Sequence, residues 1–195
     1  MLTPAHPDIG RRVSSRRQAR IFGVDPDGDC VIMNCFALSR DYSARGVSDH
    51  LACLFERAID EFPTEGRLRW TWVIDVHGFG VQHTDPRVAL EMVTLLECAY
   101  VERLKRLLIV DAPGIFFGLW RAVKPLLREA TVAKVEFASW DAAAGRYEDL
   151  FGSEVAERLL AEGVENRDRA AVRDKRWASY YAPEMMPKTA DGRDS

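Results

Sequence analysis

Asp75, His77 and His83 stand within nine residues, in the string DVHGFGVQH. A carboxylate beside two imidazoles can move a proton near neutral pH, and the same groups could bind a metal. No obvious nucleophile accompanies them, and these residue types also cap loops; the set reads as loop-holding polar residues. Gly78-x-Gly80 follows an apolar run, but no third glycine opens the next helix and no acidic residue has the spacing of a dinucleotide fingerprint. The phosphate loop G-x-x-x-x-G-K-[ST] and the nucleophile elbow G-x-S-x-G are both missing from the sequence. Asp25, Asp27 and Asp29 in DPDGD have calcium-loop character, yet the rest of the loop and its closing Glu are missing. A hairpin turn is the better reading. The expectation is a protein that is not an enzyme, with no cofactor and no metal.

These residues need elements to position them. ARIFGV and CVIMNCFAL read as strands on either side of DPDGD. A helix capped by Ser48 places Leu51, Leu54, Phe55, Ala58, Ile59 and Phe62 on one side, and Pro63 and Gly66 end it. RWTWVIDV, KRLLIVD and VAKVEFA are three further strands whose continuous bulk suits a sheet covered on both faces. Between them lie a helix capped by Thr84 or Asp85, with Pro86 first, and a helix over about 115–129 that Pro125 should kink. That second helix carries Ile115, Phe116, Leu119, Trp120, Val123, Leu126 and Leu127 as one broad apolar face. Residues 147–177 read as helical, ending in the solvated run ENRDRAAVRDKR. The alternation predicts an α/β fold: a mainly parallel five-stranded sheet, helices on both faces, and one antiparallel edge hairpin.

The chain of 195 residues suits one domain, with 47% hydrophobic and 29% charged residues. A basic, flexible arm over 1–19, a domain over 20–178 and a tail over 179–195 are expected. Arg11, Arg12, Arg16, Arg17 and Arg20 crowd the N-terminus with only Asp8 against them, while the whole chain carries a net charge of −3. A basic arm of this kind can approach anionic lipid or remain simply solvated. Cys30, Cys35, Cys53 and Cys98 form no C-x-x-C pair and are expected as buried, reduced thiols. No run of about 18 apolar residues occurs, so the reading is soluble and cytoplasmic.

At YVERLKRLLIVDAPGIFFGLWRAVKPLLREATVAKVEF the chain resembles the CRAL-TRIO family, which includes phosphatidylinositol/phosphatidylcholine and tocopherol transfer proteins. The family pattern is matched by Tyr100, Glu102, Arg103 and Leu104, then Pro113 and Phe116, then Lys124, Pro125 and Leu127, and finally Thr131 and Lys134. Val101 stands where the family usually has Pro, and Asp111 where it usually has Asn. The resemblance covers roughly residues 20–140. It implies a sheet flooring an apolar cavity, with the 115–129 helix as a movable lid. Cavity and lid would comprise Trp70, Trp72, Phe116, Leu119, Trp120, Val123 and Leu127. By position, Glu102, Thr131 and Lys134 would gather around a phosphoinositide headgroup.

The implied partners are a phospholipid or other small hydrophobic ligand and, transiently, a membrane surface touched by the five arginines. A protein partner is possible; nucleic acid is not implied. Trp70 and Trp72 replace small hydroxyl residues that line a choline-lipid site in some members, which argues against that lipid. The usual N-terminal helical lobe is not expected from these residues. Lobe-less relatives of the BCH type, which serve as protein-interaction modules, give the alternative reading: a solid core with Trp70, Trp72, Phe116 and Trp120 packed together.

Overall fold

The computed structural model describes residues 19–39, 43–62 and 68–174. Arg11, Arg12, Arg16 and Arg17, the helix-ending Pro63 and Gly66, and the tail from 179 lie outside those residues. Five strands form one sheet in the order β1 (Ala19–Val24), β2 (Cys30–Cys35), β3 (Trp70–Asp75), β4 (Leu104–Val110), β5 (Val135–Ala138). Among the described residues only β1 and β2 pair antiparallel; the other neighbours are parallel, as the alternation of elements requires.

Every residue of β2 is buried, because both faces of the sheet are covered. Ile32, Trp72, Leu107 and Ile109 point to one face, where α1 (Ala44–Glu61) supplies Leu51, Leu54, Phe55 and Ala58. Val31, Met33, Val73, Leu108 and Val110 point to the other. There they meet α5 (Trp140–Ala144), α6 (Tyr147–Phe151) and α7 (Ser153–Arg167) through Ala143, Tyr147, Phe151, Val155 and Leu159. The period of two along each strand thus divides one apolar run between two cores.

Local chemistry sets the helix ends. α1 begins one turn before the expected Ser48: Ser43 is its cap, its Oγ accepting from the Gly46 N–H at 3.2 Å. Ser48 lies inside the helix. Asp85 caps α2 (Pro86–Thr94), accepting from the Arg87 N–H at 2.9 Å, with Pro86 at the first position as expected. A π-helical turn, Leu95–Ala99, extends α2. The helix expected over 115–129 is shorter: α3 spans Gly114–Val123, and Lys124–Leu126 is a 3-10 turn. Pro125 has no N–H to offer the Arg121 carbonyl, so it ends the helix instead of kinking it. α4 (Glu129–Val132) leads into β5.

Candidate functional site: an apolar groove beneath a lid helix

On the α1 face the sheet is covered unevenly. At one end Trp70 stacks on Phe55, with ring centroids 4.5 Å apart and planes 13° apart, and Tyr100 meets both edge-on at 5.7 and 5.0 Å. The Tyr100 hydroxyl donates to Glu56 at 2.7 Å. Trp72 closes this plug, edge-on to Phe55 at 5.6 Å. Trp70 is therefore core and stands apart from the groove beyond Trp72, unlike its expected role: the ring fits the space between Phe55 and Tyr100.

Beyond Trp72 the packing opens. Trp72, Ile74, Leu107 and Ile109 floor a cavity of about 140 Å³, walled by α2 and roofed by α3. A second lobe of about 80 Å³ shares Phe36, Trp72, Ile74, His83, Val88 and Met92 with it. Phe116, Leu119, Trp120, Val123 and Leu127 all line the larger cavity. Their spacing puts them on the inner side of the lid. Ile115 and Leu126, expected on the same face, instead point outward at 43% and 51% exposure.

Phe36, Phe79, His83 and Phe116 form an aromatic arch at the end nearest the strand C-termini: Phe79 meets Phe36 at 5.0 Å, His83 at 5.2 Å and Phe116 at 5.4 Å. His83 Nδ1 accepts from the Gly80 N–H at 2.9 Å, so this imidazole holds its loop and walls the groove. Asp75 is fully buried and accepts from the His77 N–H at 3.1 Å and from Arg167 Nη1 at 2.9 Å. His77 is exposed. The loop-holding reading of this trio matches these bonds. In the hairpin, Lys105 Nζ lies 2.6, 2.8 and 3.0 Å from Asp25, Asp27 and Asp29, and Arg69 lies 2.7 Å from Asp29. Burial would raise the Asp29 pKa, but bonds to Arg69 and Lys105 outweigh it and hold the carboxyl below its ordinary range. The turn carries its own counter-cation.

No residue of α3 is buried. The lid is held at its ends. Before it, Asp111 adopts φ 54°, and its carboxylate accepts from the Trp140 N–H at 2.7 Å and from Arg167 Nη2 at 2.5 Å. After it, the carboxylate of Glu97 accepts from the Arg128 guanidinium and from the Thr131 hydroxyl. Burial pushes the Glu97 pKa up, but these bonds prevail and leave it below the ordinary value.

The three expected headgroup residues occupy two turns. Thr131 is buried against Glu97, and Lys134 is half-buried in the same turn, donating its backbone N–H to the Thr131 carbonyl at 3.1 Å. Glu102 is exposed, at φ 63°, in the turn before β4. Arg20 belongs to β1 and pairs with Glu162. Glu97 and Arg167, which anchor the lid, carry no motif that singles them out in the sequence; Asp111 did stand out, as the departure from Asn.

A mainly parallel sheet with one side solid and the other hollowed beneath a helix defines an α/β domain built to take an apolar ligand. The CRAL/TRIO domain matches residues 18–154, and the chain belongs to that family. Its fold is similar to that of Sfh5, a solved structure with 16% sequence identity and a TM-score of 0.53; the match covers 73% of this chain and 62% of that one. The chain thus spans less than two thirds of the length of Sfh5. Family and groove together make this a domain for binding a hydrophobic ligand. Among the described residues no helix is long and apolar enough to cross a membrane.

Proposed function

We propose that the groove receives an acyl chain of a phospholipid, phosphoinositides being the first class to test, and that the domain moves or presents this lipid at a membrane surface. The observation that carries the reading is the lid: its inner face is apolar and half-buried over a cavity, yet none of its residues is locked into the core. A cavity of about 140 Å³ takes a ring or a short length of chain, since engineered voids near 150 Å³ hold benzene. A full acyl chain therefore requires α3 to lift. Burial yields about 0.8 kcal/mol per CH₂, on the order of 10 kcal/mol for sixteen carbons before ordering costs.

Ile115 and Phe117, 43% and 39% exposed, are joined on the outer side of the lid by exposed Arg121 and Lys124. This mixture suits an anionic bilayer surface, and the arginines at 11, 12, 16 and 17 would add to it. Lys134, Thr131 and Glu102 are the proposed headgroup residues, with Lys134 the phosphate partner.

The reading is tested by incubating the purified chain with liposomes of phosphatidylcholine and phosphatidylinositol, followed by native mass spectrometry and lipid extraction. One sharp lipid-mass adduct is expected, and Lys134→Ala should lower phosphatidylinositol uptake while sparing neutral lipid. Bare protein after incubation would favour the protein-interaction reading, whose support is the plug of Phe55, Trp70 and Tyr100. Against that reading, Phe116 and Trp120 pack on Phe137, at 6.3 and 5.7 Å, with the cavity between them and Trp72.

A further inference from the structure

No residue of α3 is fully buried, and Phe116 is the one that packs against the α1-side core, so core packing holds this helix less firmly than its neighbours. Two ion-pair sites flank α3, and each ties the chain at a lid end to an element that does not belong to the lid. At the C-terminal side, Arg128 reaches back to Glu97 on the π-helical turn. At the N-terminal side the arrangement is more elaborate. Arg167, from the last turn of α7 on the opposite side of the sheet, forks between two carboxylates. Its Nη1 donates to Asp75 at 2.9 Å and to the Gly163 carbonyl at 2.9 Å, while Nη2 donates to Asp111 at 2.5 Å. The Trp140 ring lies 4.1 Å from its Cζ and limits its movement. Asp75 is fully buried, so the guanidinium is fixed at the core before it touches Asp111.

Asp111 is the last residue before the Ala112-Pro113 link to α3. Its left-handed φ of 54° is uncommon outside glycine, asparagine and aspartate. Both of its carboxylate oxygens are occupied, Oδ1 by the Trp140 N–H and Oδ2 by Arg167. One side chain thus fixes the direction in which the lid leaves the sheet.

We propose that Asp111 and Arg167 are positioning residues for the lid: their bond sets how often α3 leaves the groove, with Glu97 and Arg128 as the weaker, more exposed second anchor. Arg128 is 52% exposed at the side chain, whereas Arg167 is 20% exposed, so solvent competes more strongly at the second anchor. The proposal rests on the lipid reading for its purpose, but not for its test.

Hydrogen exchange on the ligand-free chain provides that test. Asp111→Asn keeps the left-handed conformation and an oxygen for the Trp140 N–H while removing the charge that Arg167 meets. It should speed exchange across residues 114–123 about tenfold, the scale of one lost charge-assisted hydrogen bond, and leave β2 and β4 amides unchanged. Arg167→Lys, which also disturbs the bonds to Asp75 and the Gly163 carbonyl, should do at least as much, and adding Asp111→Asn to it should contribute little further in α3, because the Asp111–Arg167 bond is already lost. Leu159→Ala, on the opposite face, is the control for general loosening. Equal exchange in α3 for the wild type and Asp111→Asn would overturn the proposal, as would a matching rise in Leu159→Ala at equal loss of stability. In parallel, release of bound cis-parinaric acid, followed by fluorescence, should quicken in the same two variants. If the wild type bound none of this probe while the exchange pattern held, the lipid reading would fall and the anchor would stand.

Discussion

The two faces of the sheet use similar side chains to different ends. On the α7 face, Tyr147, Phe151, Val155 and Leu159 sit within a closed core, each with almost no exposure. On the α1 face, the residues of α3 are as apolar, yet every one remains partly or fully exposed. Composition does not separate them; coverage does. α7 lies flat against the sheet, whereas α3 is propped by Asp111 and Glu97 above a hollow. A strongly apolar helix is thus no guide to where stability resides.

Substitutions can break this comparison. Trp70→Ala, which empties the plug, should cost about 3–5 kcal/mol in chemical denaturation, while Trp120→Ala on the lid should cost far less and chiefly change ligand uptake. Leu159→Ala should cost about 2–5 kcal/mol, against about 1 kcal/mol or less for Leu119→Ala. Equal losses in either pair would mean that the lid is part of the core. Thiol labelling sharpens the contrast further: exposed Cys98 should react first and half-buried Cys53 more slowly. Burial, followed by nearby carboxylates, pushes the Cys30 and Cys35 thiols up to about 12, so they should react only on unfolding.

The smallest effect concerns acid. The Glu97 pKa is depressed in the folded chain, so its contribution is present above the unfolded value of 4.5 and lost as pH falls through the folded one. Protection factors in the 124–132 turns, taken against the intrinsic exchange rate at each pH, should therefore fall as pH drops below 4.5, and Glu97→Gln should remove that dependence.

Much of the sheet was legible because β2, β3 and β4 are apolar on both faces, a pattern that only a doubly covered parallel sheet explains. Five of the seven apolar residues read as one helix face do turn inward, while Ile115 and Leu126 do not, and the role proposed for the inner ones comes from the family motif. Trp70 was misassigned because sequence spacing places it beside Trp72 but cannot reveal Phe55 and Tyr100 closing over it. Cys98 was expected to be buried; it is exposed, because the π-helical turn rotates residues 95–99 away from the simple helical period. Arg167 lay within a charged run that reads as solvated, and its partners are 56 and 92 residues away. Local pattern carries no information about bonds of that span.

A lid tied at both ends differs from a flap on one hinge. With Asp111 and Arg128 each fastened, α3 stays seated, and release at one end would leave the other as the hinge on which it swings. Of the two, the more exposed Arg128 is the one that water reaches first.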